Sequence, residues 1–287
     1  MDKIINEKRK SFLIRESGRS TDFITPSFGF GCLLDCSYCY MKRHLPEKKV
    51  KIAENTVDIL TEVNTHAYWL ESKEPNQTDD KYWTYDIACN EDFALHSKHH
   101  KWKLIFKFFR DHPTIKGSLA TKIIPKEFLK FDPEGKIRIR FSLMPQEYST
   151  LLEPNTPPIV ERIKAIDKFI AAGYDVHINF SPIIVTEGWC DKYRELFELV
   201  DKHVTNKDVV KSECIFLTHN HKKHLDNISK GRDGEELLWT PENQEGKTSQ
   251  YGGANIRYKR TLKSKYIEQF KQLHQDVIPW CTIRYIF

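Results

Sequence analysis

Three thiols stand close together at Cys32, Cys36 and Cys39, in the run Gly31-Cys32-Leu33-Leu34-Asp35-Cys36-Ser37-Tyr38-Cys39-Tyr40. A C-x3-C-x2-C loop can place three thiolates on three irons of a [4Fe–4S] cube. Such cubes ordinarily take four cysteine ligands, so a loop that supplies three leaves one iron open to a ligand that is not protein. Two plainer readings compete, a zinc site and three unrelated structural cysteines. Zinc usually wants four nitrogen or sulfur ligands from paired C-x2-C elements, and the sequence has no second pair. The specificity of the spacing favours the cluster.

A fourth cysteine closes the run Asp86-Ile87-Ala88-Cys89. An isolated cysteine at a strand end is commonly an inert small hydrophobe. Beside a radical centre its S–H is instead a good hydrogen-atom donor to a carbon radical, and position alone leaves both readings open. Cys190, Cys214 and Cys281 lie in apolar or aromatic company and are expected in the core, and Trp189 is expected to pack at a helix start. The groups His96, His99, His100 and His219, His221, His224 could suggest metal sites. Each sits in a Lys-rich polar run, so solvated faces are expected there.

The elements that must position these groups alternate between two periods. Strands are expected at residues 23–30, 83–89, 117–122, 136–143, 176–184 and 209–217. Helices are expected at 54–70, 102–110, 158–172 and 189–200, with Gly173 as a stop after the third. Strands alternating with helices mean βαβ units and a mostly parallel sheet, an α/β fold. About six units fit, too few for a closed eightfold barrel, so an open, partial (β/α)6 barrel is expected. Barrels of this kind carry their chemistry at the C-terminal ends of the strands, where the cysteine loop and Cys89 fall. Residues 231–250 read as a polar surface loop and 250–258 as a hairpin between short aromatic strands. A helix at 264–274 and a strand at 280–287 close the chain. One domain over 1–287 is expected, with a core at about 20–230 and an extension at about 231–287.

With 287 residues, 39% hydrophobic and 30% charged, the composition is that of a soluble enzyme. No apolar run approaches the roughly 18 residues needed to span a bilayer. Residues 1–10 are charged and do not read as a signal peptide. Seven irregularly spaced cysteines argue against a disulfide framework and for a reducing cytoplasm. The net charge of +5 is compatible with nucleic acid, with basic runs at 98–103 and 257–265, although any one run reads equally as a solvated surface.

The cysteine loop resembles the signature of the radical S-adenosylmethionine (SAM) superfamily, and the chain as a whole is similar to the spore photoproduct lyase family within it. The likeness runs over nearly all of residues 20–287. It takes in Gly31-Cys32, Cys36, Tyr38-Cys39-Tyr40, Ala88-Cys89, Thr121-Lys122, Arg140-Phe141-Ser142 and Glu153-Pro154. It continues through Ala172-Gly173-Tyr174, Pro182-Ile183, Glu187-Gly188-Trp189, Tyr251-Gly252 and the terminal Ile283-Arg284-Tyr285-Ile286-Phe287. The cysteine motif is shared by many reactions; the Ala-Cys and Glu-Gly-Trp segments are more specific.

The resemblance implies a radical SAM barrel with a C-terminal β-hairpin and helix extension, acting as a DNA-repair lyase on 5-thyminyl-5,6-dihydrothymine. Cys32, Cys36 and Cys39 would ligate the cluster, and SAM would fill the open iron. Lys122 and Ser142 match residues that hold SAM's carboxylate, and Asp92 an acidic residue near its amino group. Cys89 would quench the product thymine radical, and Tyr38 and Tyr40 match tyrosines that return the radical. Tyr38 could also pack against the adenosine, and Lys122 could be a surface lysine. Tyr251, Arg257, Lys259 and Arg260 on the hairpin are the candidates for gripping DNA. Implied partners are lesion-bearing DNA and an electron donor such as flavodoxin or ferredoxin, with no membrane. Two departures stand out: Asn90-Glu91 replaces a small hydroxyl pair after the cysteine, and the hairpin residues differ. A radical SAM enzyme acting on another nucleotide or nucleic acid, and a non-catalytic cluster- or DNA-binding relative, are the alternatives.

Overall fold

The computed structural model describes residues 3–39, 41, 49–248 and 253–287. In chain order its first elements are β1 (Ile4–Glu7), β2 (Arg15–Glu16), β3 (Phe23–Ile24), β4 (Gly29–Phe30), β5 (Val50–Ala53), α1 (Thr56–Tyr68), β6 (Trp83–Asp86), α2 (Trp102–Asp111) and β7 (Ile115–Thr121). Then come β8 (Ile137–Leu143), α3 (Gln146–Leu152), α4 (Ile159–Ala171), β9 (Asp175–Ile183), α5 (Trp189–His203), β10 (Lys211–Phe216) and β11 (Thr218–Asn220). The chain closes with α6 (His221–Ser229), α7 (Glu235–Leu238), β12 (Gln244–Thr248), β13 (Ala254–Tyr258), α8 (Arg260–Val277) and β14 (Thr282–Ile286). Eight strands form one sheet in the order β14-β10-β9-β8-β7-β6-β3-β2. The pairs β3–β6, β6–β7, β7–β8 and β10–β14 run parallel, as βαβ crossovers require. This is the expected α/β fold of the partial (β/α)6 kind. No described helix is long and apolar enough to cross a membrane.

The chain divides into two compact units, residues 1–33, 45–141 and 165–177, and residues 34–44, 142–164 and 178–287. In the first, Ile137, Ile139 and Phe141 of β8 are buried, and so are Arg138 and Arg140 between them. The alternation of that strand therefore separates an apolar face from a buried charged one, not from water. Buried charges persist when they are paired. Arg138 bonds Asp175 at 2.8 Å and Asp79 at 2.7 Å, Lys116 joins the same two carboxylates at 2.9 and 3.0 Å, and Arg140 bonds Asp86 at 2.7 Å. Burial pushes the Asp175 carboxyl up, but His177 and Arg138 outweigh it and hold it well below the usual range. Helix α4 stops where expected: Gly173 has φ 89°, its N–H reaches the Ile170 carbonyl at 2.9 Å, and a Cβ there would lie 2.0 Å from Asp132 Oδ1.

In the second unit α5 packs on α8 through aromatic rings. Phe270 meets Phe197 edge-on at 5.4 Å and Trp189 face-on at 6.4 Å, so Trp189 is core packing at the helix start. Strands β11, β13 and β12 form a separate antiparallel sheet. Its base is pinned where the Val185 N–H donates to the Tyr258 hydroxyl at 2.8 Å.

Three expectations change. Residues 23–30 are two short strands, not one: Pro26 offers no N–H to a ladder, so β3 pairs with β6 while β4 pairs with β5. The polar stretch 231–250 carries α7 and β12, and the hairpin is built from 244–248 and 254–258. Helix α6 follows β11 directly, capped by the Asn220 side chain, which accepts from Lys223 N at 3.2 Å.

Candidate active site

The part of the cysteine loop in the second unit is tied down at every residue from 35 to 38. Asp35 takes a left-handed φ of 68°, and Arg232 grips its carboxylate with both contacts at 2.7 Å and its carbonyl at 3.0 Å. Ser37 donates its N–H to the Leu152 carbonyl at 2.9 Å and accepts from Asn227 Nδ2 at 2.8 Å. A turn brings the Cys39 N–H to the Cys36 carbonyl at 3.1 Å. Cys36 is buried, while Cys32 and Cys39 are half-buried, and all seven cysteines are thiols. By number and chemistry three thiols suit a three-cysteine cluster; the donor set is too small for an ordinary structural zinc site.

Tyr38 donates its hydroxyl to Glu153 Oε1. Glu153 Oε2 accepts from Arg162 Nη1 at 2.7 Å and Ser149 Oγ at 3.0 Å, and the Glu153 and Arg162 side chains are fully buried. Arg162 Nη1 also reaches the Ser142 carbonyl at 3.0 Å, so one guanidinium fixes both the end of β8 and the acceptor of the tyrosine. Burial pushes the Tyr38 phenol well above its ordinary value, and the charges of Glu153 and Cys36 push it the same way. The ring therefore stays protonated. The Ser142 hydroxyl is buried and accepts from Asn179 Nδ2 at 3.4 Å. Sequence reasoning assigned no role to Arg162 or Glu153. The legible signal was an arginine on the apolar face of α4, between Ile159, Ile163 and Ile166.

In the first unit Asp92 binds the end of β7. Its Oδ1 accepts from Thr121 Oγ1 at 2.8 Å and Leu95 N at 3.2 Å, and its Oδ2 from Lys122 N at 2.9 Å. Asp92 and Lys122 are thus brought together, with Thr121 as an unforeseen third member. Cys89 is half-buried. The next residue, Asn90, accepts the Gly31 N–H at 2.9 Å, which fixes Cys89's segment to the residue before Cys32. Glu91 is buried, and its Oε2 meets His96 Nδ1 and His100 Nε2, each at 3.0 Å. Burial pushes its carboxyl up, but His100 and His96 outweigh this and hold it below its ordinary value. Gly29 lies against this carboxylate so closely that a Cβ would sit 2.2 Å from Glu91 Oε1.

The histidine groups need correction. His99 and His221 are exposed as expected, but His96 and His219 are buried, and the His100 side chain is 2% exposed. His219 Nε2 and His224 Nδ1 meet Glu235 Oε1 at 2.8 and 2.7 Å. Each group has found a glutamate, which removes the need for solvent. Of the other cysteines, Cys214 and Cys281 are core as expected and Cys190 is half-buried.

On the hairpin, Arg257 pairs with Glu245 at 3.1 Å, both about one-third exposed. Lys259 is exposed and donates to the Glu242 carbonyl at 2.7 Å, and Arg260 is an exposed first residue of α8. Tyr40 and Tyr251 lie outside the described residues.

A family model described as spore photoproduct lyase matches residues 3–287. Spore photoproduct lyase of Bacillus subtilis (strain 168) is 25% identical over 283 residues, spanning 96% of this chain and 80% of that protein. The Geobacillus sp. (strain Y412MC61) protein of the same name is 22% identical over 281 residues, with the same coverage. A solved spore photoproduct lyase complexed with dinucleoside spore photoproduct superposes with a TM-score of 0.85 at 21% identity, over 99% of this chain and 82% of that one. The AdoMet-bound protein anSMEcpe shares the fold more distantly, with a TM-score of 0.50 at 16% identity over 92% and 60% of the two chains.

Proposed function

Because the chain belongs to the spore photoproduct lyase family, we propose that it reverts 5-thyminyl-5,6-dihydrothymine in DNA to two thymines by radical SAM chemistry. The observation that carries this reading is the match over residues 3–287 in a chain that keeps Cys32, Cys36, Cys39 and Cys89. A [4Fe–4S] cluster with SAM on its open iron supplies, when bound, a carbon radical able to take hydrogen from C6 of the lesion's saturated ring.

The chain's residues do the rest. Cys32, Cys36 and Cys39 hold the cluster. The Lys122 ammonium and the Ser142 hydroxyl hold SAM's carboxylate through charge-assisted bonds, and Asp92 takes its amino group. Asp92 is itself anchored by Thr121 and the Lys122 N–H, which keeps the two recognition groups in register. Cys89 gives the hydrogen atom of its thiol to the thymine radical left when the methylene bridge opens. The thiyl radical would regain its hydrogen atom from Tyr40, Tyr40 from Tyr38, and Tyr38 in turn from 5′-deoxyadenosine, so that the radical returns toward SAM. The hydrogen bond from Tyr38 to Glu153 Oε1 fixes the direction of the phenol. Tyr251, Arg257, Lys259 and Arg260 hold the DNA backbone, and the lesion must leave the stack to be reached. A flavodoxin or ferredoxin in a reducing cytoplasm is the electron source this chemistry calls for.

The test is an anaerobic assay with reconstituted cluster, SAM, dithionite and a synthetic spore-photoproduct dinucleotide. Thymidylyl-thymidine is the expected product; 5′-deoxyadenosine without repair would move the substrate elsewhere. Cys89→Ala should still cleave SAM but divert the product radical into adducts, and clean repair by that variant would exclude the donor role.

A further inference from the structure

His219, His224 and Glu235 are delivered by three successive elements, β11, α6 and α7. Their ligand atoms lie within 4.8 Å of one another, and both imidazoles point at the same carboxylate oxygen. The other oxygen, Glu235 Oε2, accepts from Asn227 Nδ2. The His224 ring is clamped by Trp239, stacked 3.9 Å away at 13°. His219 is fully buried and the Glu235 side chain is 5% exposed, while His224 at 16% leaves an opening to solvent.

We propose that His219 Nε2, His224 Nδ1 and Glu235 Oε1 form a site for one borderline divalent cation of the Zn2+ type, distinct from the cysteine loop. Two imidazoles and a carboxylate are a zinc donor set, with the fourth position left to water. The carboxylate is oriented from behind by an amide, which is the outer-shell support that ligating carboxylates carry. Ligands at Zn–N distances of about 2.0–2.1 Å in tetrahedral geometry stand roughly 3.3 Å apart. The present separations of 2.7 and 2.8 Å therefore need to open by about half an ångström, within reach of side-chain torsions on two short elements. His219 Nδ1 has no partner among the described residues in either tautomer, so it does not weigh between a proton and a metal at Nε2. The bound cation cross-links β11, α6 and α7, and Asn227, which also reaches the Ser37 carbonyl, carries that fixing to the cysteine loop.

This site does not depend on the lyase reading, and its test involves no substrate or SAM. The full chain, with its cluster loaded anaerobically so that the loop cysteines are occupied, is equilibrated with Zn2+ and desalted. About one zinc per chain is expected, with an X-ray absorption shell of nitrogen and oxygen at about 2.0–2.1 Å and no sulfur shell at about 2.3 Å. His224→Gln and Glu235→Gln should lose the zinc and keep their iron. Asn227→Ala keeps all three ligands and should weaken zinc binding about 10–100-fold. A sulfur shell, zinc retention by both ligand variants, or no zinc on the wild-type chain would each overturn the site.

Discussion

Two carboxylates in this molecule have the same neighbours and opposite surroundings. Glu91 and Glu235 each present one oxygen to two imidazoles, and each lies close in sequence or by hydrogen bond to a cysteine segment. Glu91 is enclosed: its side chain and those of His96 and His100 are at most 2% exposed, and Gly29 presses on its other oxygen. Glu235 is accessible through His224, and its other oxygen is held by an amide that also touches the loop of Cys36 and Cys39. The first arrangement is a fixed keystone under the residue pair that follows Cys89. The second can exchange its protons for a cation. Access, not ligand chemistry, separates the two.

The largest effect that would sharpen this contrast is expected from Glu91→Ala. It strands two buried imidazoles without their acceptor and should cost about 3–5 kcal/mol, read as a fall in the urea midpoint. Gly29→Ala should cost about 1–3 kcal/mol by forcing the same carboxylate aside. Glu235→Gln keeps the shape and an amide oxygen for the buried His219, while His224, 16% exposed, can turn to water, so about 1 kcal/mol is expected in metal-free protein. Equal losses at Glu91 and Glu235 would erase the distinction.

Acid provides a finer comparison. Both carboxyls are pushed up by burial and held below their ordinary value of 4.5 by their hydrogen-bonded neighbours, His100 and His96 for Glu91, and His219, Asn227 and His224 for Glu235. A depressed folded-state acid stabilises above that ordinary value, and the contribution is lost as pH falls through the folded one. Stability should therefore drop below about pH 4.5 in the wild type, and Glu91→Gln and Glu235→Gln should each flatten that limb. The smallest effect is expected far from either carboxylate: Arg257→Ala should reduce the salt slope of DNA binding by about 1 and leave folding stability within about 0.5 kcal/mol. An unchanged slope would remove Arg257 from the DNA contact.

Much of this scaffold was legible because its signals are local. Residues 136–143 read as a strand from alternation, and 158–172 as a helix ended by Gly173, since each pattern completes itself within a few residues. The cysteine loop was legible for the same reason. Burial was not. Lys98 and Lys222 made their histidine neighbours look solvated, yet His96 is covered by a partner five residues back and His219 by one sixteen residues on. The burial of Arg138 and Arg140 left no local sign, because their partners Asp79, Asp86 and Asp175 lie on other strands and loops. A charge reveals its fate only with its counter-charge, and that pairing is a property of topology.

The contact between Gly29 and Glu91 also constrains how this chain can change over generations. A Cβ at position 29 would lie 2.2 Å from Glu91 Oε1, so a side chain there competes with the present placement of that carboxylate. Along a mutational path, shrinking position 91 first lowers the cost of a Cβ at position 29, and a glycine at position 29 lowers the cost of growth at position 91. A chain with a small hydroxyl residue at position 91 would be released from that order. The two sites are therefore epistatic: the same substitution at position 29 is cheap in one background and costly in the other.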